Sequence, residues 1–279
     1  MTQSAPRIEY VEARRVLLDA LTALHPHIAA VVLIGAQAVY LRTAERLPTY
    51  QAFTTDADLV VDPALLADAP LLGDAMAAAG FNYTGEPGIW ERVVDRPGFD
   101  GDITVPVDLI VPTQMAPKAG RRGARLPGGH GKTAARKSDG VEGALVDHDP
   151  IAITALETAD ARRVMVNVAG PAALVVAKTY KLGERLETPH RLIAKDAGDV
   201  YRLFDAYPVE EMSIGLGRLL SDDRSRSTAE TALGYLRRLF VTPRSPGVTL
   251  AVQAFDGIID EATVVTFLSG YARDLRGTL

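Results

Sequence analysis

Three short apolar runs set the frame of this chain. Ala29-Ala30-Val31-Val32-Leu33-Ile34 ends in Gly35. Leu59-Val60-Val61 is headed by Asp56-Ala57-Asp58. Val105-Pro106-Val107-Asp108-Leu109-Ile110-Val111 carries an acid in its middle. Runs of this length, bounded by glycine or polar residues, read as buried strands. Side chains alternate across a strand, so Asp56 and Asp58 project from one face. If Asp108 joins them, three carboxylates crowd together, and two unit charges ~4 Å apart repel by roughly 4 kcal/mol at an effective dielectric near 20. Cations must offset that repulsion, and Mg2+ bridging to substrate phosphates is a common solution. For Asp108 a second reading stays open. An acid inside an apolar strand is costly unless it is paired or ligates a metal, so a buried salt bridge to an arginine would also account for it.

The pattern along the chain divides it in two. Residues 7–24 have apolar positions at helical spacing, and His25-Pro26-His27 ends that helix. Residues 29–34 read as a strand, 36–44 as a helix directly after Gly35, 45–55 as a polar loop and 57–62 as the second strand. Asp62 fits an N-cap for a helix that starts at Pro63 and runs to about Ala79, with Gly80 as its C-cap. Ile89–Val94 and Ile103–Val111 are further strands, and 143–147 and 163–168 fit two more. From Pro171 onward the pattern is helical, over 171–187, 192–206, 208–221, 227–240 and two more segments. The expected architecture is therefore α/β, with a mixed-sheet domain over 1–170 that includes a basic loop at 113–142, and an all-α helical domain over 171–279.

Composition narrows the class. The 279 residues are long enough for a sizeable core, and 47% hydrophobic with 23% charged is ordinary for a globular chain. The net charge of −5 does not advertise nucleic-acid binding, although a local patch remains open. With no cysteine, disulfides and thiolate metal sites are excluded. No apolar stretch approaches the ~18 residues of a membrane helix, and no signal peptide is evident, so a cytoplasmic location is expected.

Four features carry candidate chemistry. Gly35, between a strand and a helix, lets a phosphate approach the backbone and the free N–H groups of the helix start, with Ala36 following it. The stretch Lys118 to Lys137 holds seven basic residues and no acidic one. Arg121, Arg122, Lys132 and Lys137 in it are candidate contacts for an RNA backbone. Within it, Leu126-Pro-Gly-Gly-His-Gly-Lys-Thr133 nearly matches a Walker A loop, but Leu126 stands where glycine is expected and no strand leads into it. Finally, Lys178, Lys181 and Arg185 fall at i, i+3 and i+7 on one helix face, and Lys195, Asp196 and Asp199 follow on the next helix. That set is either an internal ion-pair network or a phosphate-binding wall. The histidines show no ligand spacing.

Taken together, these residues resemble the AbiEii-type nucleotidyltransferases, the toxin components of type IV-like toxin–antitoxin pairs. The resemblance spans most of residues 30–205. It rests on Gly35 with Ala38, Thr55-Asp56-Ala57-Asp58-Leu59, Asp108, the helix Ala177-Lys178-Thr-Tyr-Lys-Leu-Gly-Glu-Arg185, and Lys195-Asp196-Ala-Gly-Asp199-Val-Tyr201. It implies a nucleotidyltransferase-fold N-terminal domain with a helical C-terminal domain, and Mg2+-dependent transfer of a nucleotide from an NTP to an acceptor hydroxyl, RNA or tRNA in some relatives. It further implies a cognate antitoxin as a partner. In its terms Asp56, Asp58 and Asp108 bind the metal and act in catalysis. Gly35 and Ala36 cradle phosphate, Lys178, Arg185 and Lys195 complete the nucleotide-binding wall with Asp196, and Lys178 and Asp196 join the three aspartates as catalytic residues. The chain departs from the family at Gly35-Ala36, where the family has Gly-Ser or Gly-Gly, so backbone N–H groups alone are left to hold the phosphate. Two other readings stand beside it: a nucleotidyltransferase acting on a small molecule such as an aminoglycoside, and a non-catalytic nucleotide-binding member.

Overall fold

The computed structural model describes residues 7–43, 53–96, 101–116 and 122–278. They fall into two compact units. The first is built from Met1–Ala38, Gln51–Ser138 and His148–Val168, the second from Val39–Tyr50, Asp139–Asp147 and Ala169–Leu279.

The first unit is α/β. Its eight strands are β1 (Val31–Ile34), β2 (Ala57–Val61), β3 (Asn82–Tyr83), β4 (Ile89–Val94), β5 (Ile103–Pro112), β6 (Arg136–Ser138), β7 (His148–Thr154) and β8 (Arg163–Ala169). They form one sheet in the order β3-β4-β5-β2-β1-β8-β7, with β6 also paired to β5. The sheet is mixed: β1 runs antiparallel to β2 and parallel to β8, while β2 runs parallel to β5 and β4 antiparallel to it. Helix α1 (Ile8–Ala23) packs on β2 and β5 and against α3 (Leu72–Ala78).

The register of the central strands follows from their apolar rows. Leu33, Leu59 and Leu109 are partners across β1, β2 and β5, and all three are fully buried. Burying each leucine contributes ~1.5–3 kcal/mol. The next row, Ile34, Asp58 and Asp108, points to the opposite face. A slip of one residue would exchange the rows, exposing leucines and burying two acids. The leucine row therefore fixes where the aspartates stand.

Helix α2 (Gly35–Thr43) begins in the first unit and ends in the second. The second unit is otherwise helical: α4 (Pro171–Glu184), α5 (Ala194–Ala206), α6 (Val209–Ser221), α7 (Arg226–Phe240), α8 (Pro246–Ala254) and α9 (Glu261–Thr278). Helix α4 packs against α5, α6 and α7, and α5 against α8 and α9. Phe204, Phe240 and Phe255 are fully buried, and Phe204 stacks on Tyr271 with ring centroids 4.1 Å apart. Proline at the first position of α4 has no N–H to leave unsatisfied, and the Asp147 carboxylate accepts the Ala173 N–H at 3.0 Å. No described helix is long and apolar enough to cross a membrane.

Several elements differ from the sequence reading. The helix expected from Pro63 to Ala79 is a turn at 63–65, with the Asp62 carboxylate accepting the Ala64 N–H at 2.9 Å, followed only later by α3. Pro70 explains this: it has no N–H to donate, and it biases the residue before it away from helical geometry. Gly80 does end α3, with φ +82°. Residues 142–145 are a 3-10 turn rather than a strand, and β7 begins just after it. Residues 29 and 30 belong to a 3-10 turn over His25–Ala30, so β1 starts at Val31. Most of the expected loop at 45–55 lies outside the described residues.

Candidate active site

The acidic row stands at one end of β2 and β5. Asp58 is in register with Asp108 on the neighbouring parallel strand, which sets their backbones about 4.8 Å apart with side chains on one face. Farther along that face Val60 and Ile110 are buried, whereas Asp58 and Asp108 are half-buried. Asp56 precedes β2 by one residue and is also half-buried, while Ala57 between the two acids is buried. Asp56 and Asp58 thus share the less covered face, as the alternation predicts.

Gly35 closes the row on the β1 side. Its φ is +74°, and a Cβ at this position would overlap the Asp58 carboxylate. Both facts require glycine here. The missing side chain makes room for Asp58 itself, whose charge lies at the start of α2, where unpaired backbone N–H groups favour an anion. Ala36 is buried as the next residue of that helix.

Two residues that sequence reasoning missed hold this end of the sheet. Gln37 donates through Nε2 to the Asp56 carbonyl at 3.0 Å and to the Ala13 carbonyl at 3.3 Å, and its Oε1 accepts from Arg14 Nε at 2.9 Å. Both of its amide N–H donors are thereby used and the Asp56 backbone is pinned. Burial pushes the Arg14 guanidinium below its usual pKa, and contact with Tyr10 partly offsets that. The Thr54 hydroxyl donates to Asp56 Oδ1.

The second missed residue is Arg136. Its Nη2 lies 2.6 Å and its Nε 3.1 Å from Asp108 Oδ2. Parallel pairing of β6 with β5 sets Ile110 opposite Arg136, which puts its side chain within reach of Asp108. The loop is held tightly there, since a Cβ on Gly88 would overlap the Arg136 backbone N. The structure therefore realises the salt bridge that the sequence left open for Asp108. The signal for Arg136 in the sequence is weak, because it is one of seven basic residues in a stretch without periodicity.

These carboxylates bear on the Mg2+ expectation. Carboxylate oxygens are the donors Mg2+ prefers, and one or two carboxylates completed by phosphates and water suffice for it. Asp56 and Asp58 fit that description. Asp108 does not join them as it stands, because Arg136 already occupies Oδ2. Consistently, no group of three or more His, Cys, Asp or Glu among the described residues is arranged to hold a metal ion.

The described part of the basic loop from residue 122 onward is folded. Leu126 and Gly131 bridge across a turn, with Leu126 N–H donating to the Gly131 carbonyl at 2.9 Å and Gly128, Gly129 and Gly131 all at positive φ. His130 anchors the turn: its Nδ1 accepts the Leu72 N–H at 3.0 Å and its Nε2 donates to the Ala67 carbonyl at 2.8 Å. No helix follows, so residues 126–133 are not a P-loop. Arg122 is exposed and pairs with Glu86 at 2.9 Å, Lys132 is exposed, and Lys137 is half-buried within β6. Arg121 lies outside the described residues.

In the second unit, Lys178 is buried with its ammonium 2.8 Å from Asp196 and 2.6 Å from Asp199, both of them buried as well. Lys181 reaches Asp196 at 3.1 Å, and Arg185 at 3.9 Å. Arg185 also donates to the Arg191 carbonyl at 3.2 Å. Burial pushes Lys178 down, but Asp199 and Asp196 override it and raise the ammonium well above its ordinary pKa. Burial pushes Asp196 up, and Lys178 and Lys181 override it, bringing it to about 2. This is the interhelical network that was one of the two readings of the set. Lys195 lies apart from it, with its ammonium 5.9 Å from the Tyr40 ring centroid.

No family model matches the chain, and no curated protein does. Among solved structures, it is similar to the crystal structure of an antigenic nucleotidyltransferase-like protein from Paracoccidioides brasiliensis. The TM-score is 0.41 and the identity 14%, over 79% of this chain and 93% of that one. A likeness of that extent carries neither a family nor an activity to this chain.

Proposed function

We propose that the acidic end of β2 and β5 binds the phosphates of a nucleoside triphosphate with Mg2+, and that the chain transfers the nucleotidyl group to an acceptor hydroxyl, releasing pyrophosphate. One observation carries this reading. Asp58 and Asp108 stand in register on adjacent parallel strands, with Asp56 on the same face and Gly35 giving Asp58 its place at the start of α2. Arg136 accounts for Asp108 as a salt-bridge partner, whereas the i, i+2 pair Asp56 and Asp58 beside it adds like charge at the same strand end, a cost that a bound cation would offset.

Asp56 and Asp58 would hold Mg2+, which when bound offsets phosphate charge and polarises the α-phosphate for attack. Gln37 keeps Asp56 in position through its backbone. Asp108 would accept the proton of the acceptor hydroxyl, and because Arg136 occupies its Oδ2, that role requires Arg136 to move off. The acceptor in this proposal is RNA, approached through Arg122, Lys132 and Lys137, with a tRNA end and a toxin role drawn from the AbiEii-type resemblance and a cognate antitoxin as partner. The test is incubation with each α-labelled NTP, Mg2+ and total RNA, followed by a gel. Asp56→Asn and Asp58→Asn should each lower label transfer on the order of 10³-fold while leaving the circular dichroism spectrum unchanged. Undiminished transfer in both variants would remove the site assignment. Label appearing on an aminoglycoside rather than on RNA would replace the acceptor.

A further inference from the structure

We infer that Arg136 is a built-in competitor of the divalent cation, resting on Asp108 Oδ2 until a cation displaces it. The inference rests on the proposal that the acidic row is a cation and nucleotide site. Three features of the structure argue for it. Both Arg136 contacts go to a single oxygen, Oδ2, at 2.6 and 3.1 Å, so the pair is a one-sided clasp rather than a fork on both oxygens. The two side chains are 30% and 19% exposed, so the ion pair is reachable by solvent and ions and its disruption leaves neither charge stranded in the core. Asp108 is in register with Asp58, so the guanidinium supplies positive charge where two acids approach each other, which is the office a divalent cation would otherwise perform.

The consequence concerns affinity and order. With Arg136 on Asp108, the cation meets Asp56 and Asp58 only, and it binds weakly until it or the nucleotide it accompanies draws the guanidinium away. The released guanidinium remains anchored by β6 beside the row, and its planar donors suit a phosphate. Arg136 is thus a positioning residue that makes Asp108 available only when the substrate charge is present.

The test is Mn2+ binding to the nucleotide-free protein, followed by the electron paramagnetic resonance signal of the free ion. It compares wild type, Arg136→Met, Arg136→Lys, and Arg136→Met combined with Asp58→Asn. Arg136→Met should bind Mn2+ roughly tenfold or more tightly than wild type. Arg136→Lys, which keeps the charge but not the clasp geometry, should fall between them and serves as the readout if the methionine variant does not fold. The gain should disappear in the double variant. Equal affinity in wild type and both single variants overturns the competition while leaving the cation site standing. A gain that survives Asp58→Asn places the ion elsewhere and overturns it as well. Absence of binding in every variant overturns both the competition and the metal role of the row.

Discussion

Replacing Lys178 by methionine tests the reading of the second unit most directly. Methionine keeps length and apolar packing but deletes the ammonium. In the wild type that ammonium sits 2.8 Å from Asp196 and 2.6 Å from Asp199, and all three residues are buried. Asp196 keeps Lys181 at 3.1 Å after the change, whereas Lys178 is the cation closest to Asp199. Removing one member of a buried pair costs ~3–5 kcal/mol because a charge is left without compensation. Lys178 and Lys181 together hold the Asp196 carboxylate at about 2, below its ordinary value, so the variant also loses part of that stabilisation at neutral pH. Against a total stability of ~5–15 kcal/mol, the loss is severe. Urea denaturation followed by circular dichroism should show a midpoint drop on the order of 2 M. The pH dependence gives a second reading with a definite sign. Asp196 is depressed in the folded wild type, so its contribution is present above the unfolded value near 4 and is lost as pH falls toward 2. In the variant Asp196 keeps only Lys181, so less of that contribution is present to be lost and the fall in stability toward pH 2 should be shallower than in the wild type. A variant that melts within ~1 kcal/mol of wild type at pH 7, with the wild-type acid slope, would refute the network. If it also lost nucleotide transfer, the lysine would belong to the chemistry after all.

Two further changes probe residues that hold the scaffold. Gln37→Leu leaves the Arg14 guanidinium short of one acceptor and the Asp56 carbonyl without its donor, so it should cost ~1–3 kcal/mol in denaturant melts; a loss below ~0.5 kcal/mol would show that Gln37 does not pin Asp56. Glu142 is 1% exposed, and neither carboxylate oxygen has a well-formed hydrogen bond. Burial pushes it up and outweighs opposing hydrogen bonds from the backbone and Thr228, with Asp139 adding a lesser push upward. A raised carboxyl contributes most below its unfolded value near 4.3 and loses that contribution as pH rises through the folded value. Glu142→Gln should therefore gain on wild type in melting temperature between pH 4 and pH 8; a constant difference across that range would place the carboxylate in solvent.

The sequence alone determined the periodic parts of this protein. Runs of β-branched and leucine residues marked β1, β2 and β5 as buried strands, β1 covered on both faces, and strand alternation put Asp56 and Asp58 on one face. Gly35 was legible because a strand-to-helix turn with a positive φ leaves few other choices. The spacing of Lys178, Lys181 and Arg185, and of Asp196 and Asp199, placed both sets on helix faces, but spacing does not say whether a face meets a phosphate or another helix. In the structure the Lys178 ammonium meets Asp196 and Asp199 on the next helix. The tertiary structure decided the partner of Asp108: Arg136 is 28 residues away, brought there by the pairing of β6 with β5, which no apolar row in the three residues of β6 encodes. Gln37 was invisible for a like reason, since its three bonds reach Ala13, Arg14 and Asp56. Local pattern marked most of the strands and helices, but not the turn at 63–65 or the 3-10 turn at Glu142–Leu145. Which acid receives a guanidinium, and which lysine is buried between two aspartates, followed only once leucine burial and strand pairing had fixed the register of the whole sheet and the packing of the helices.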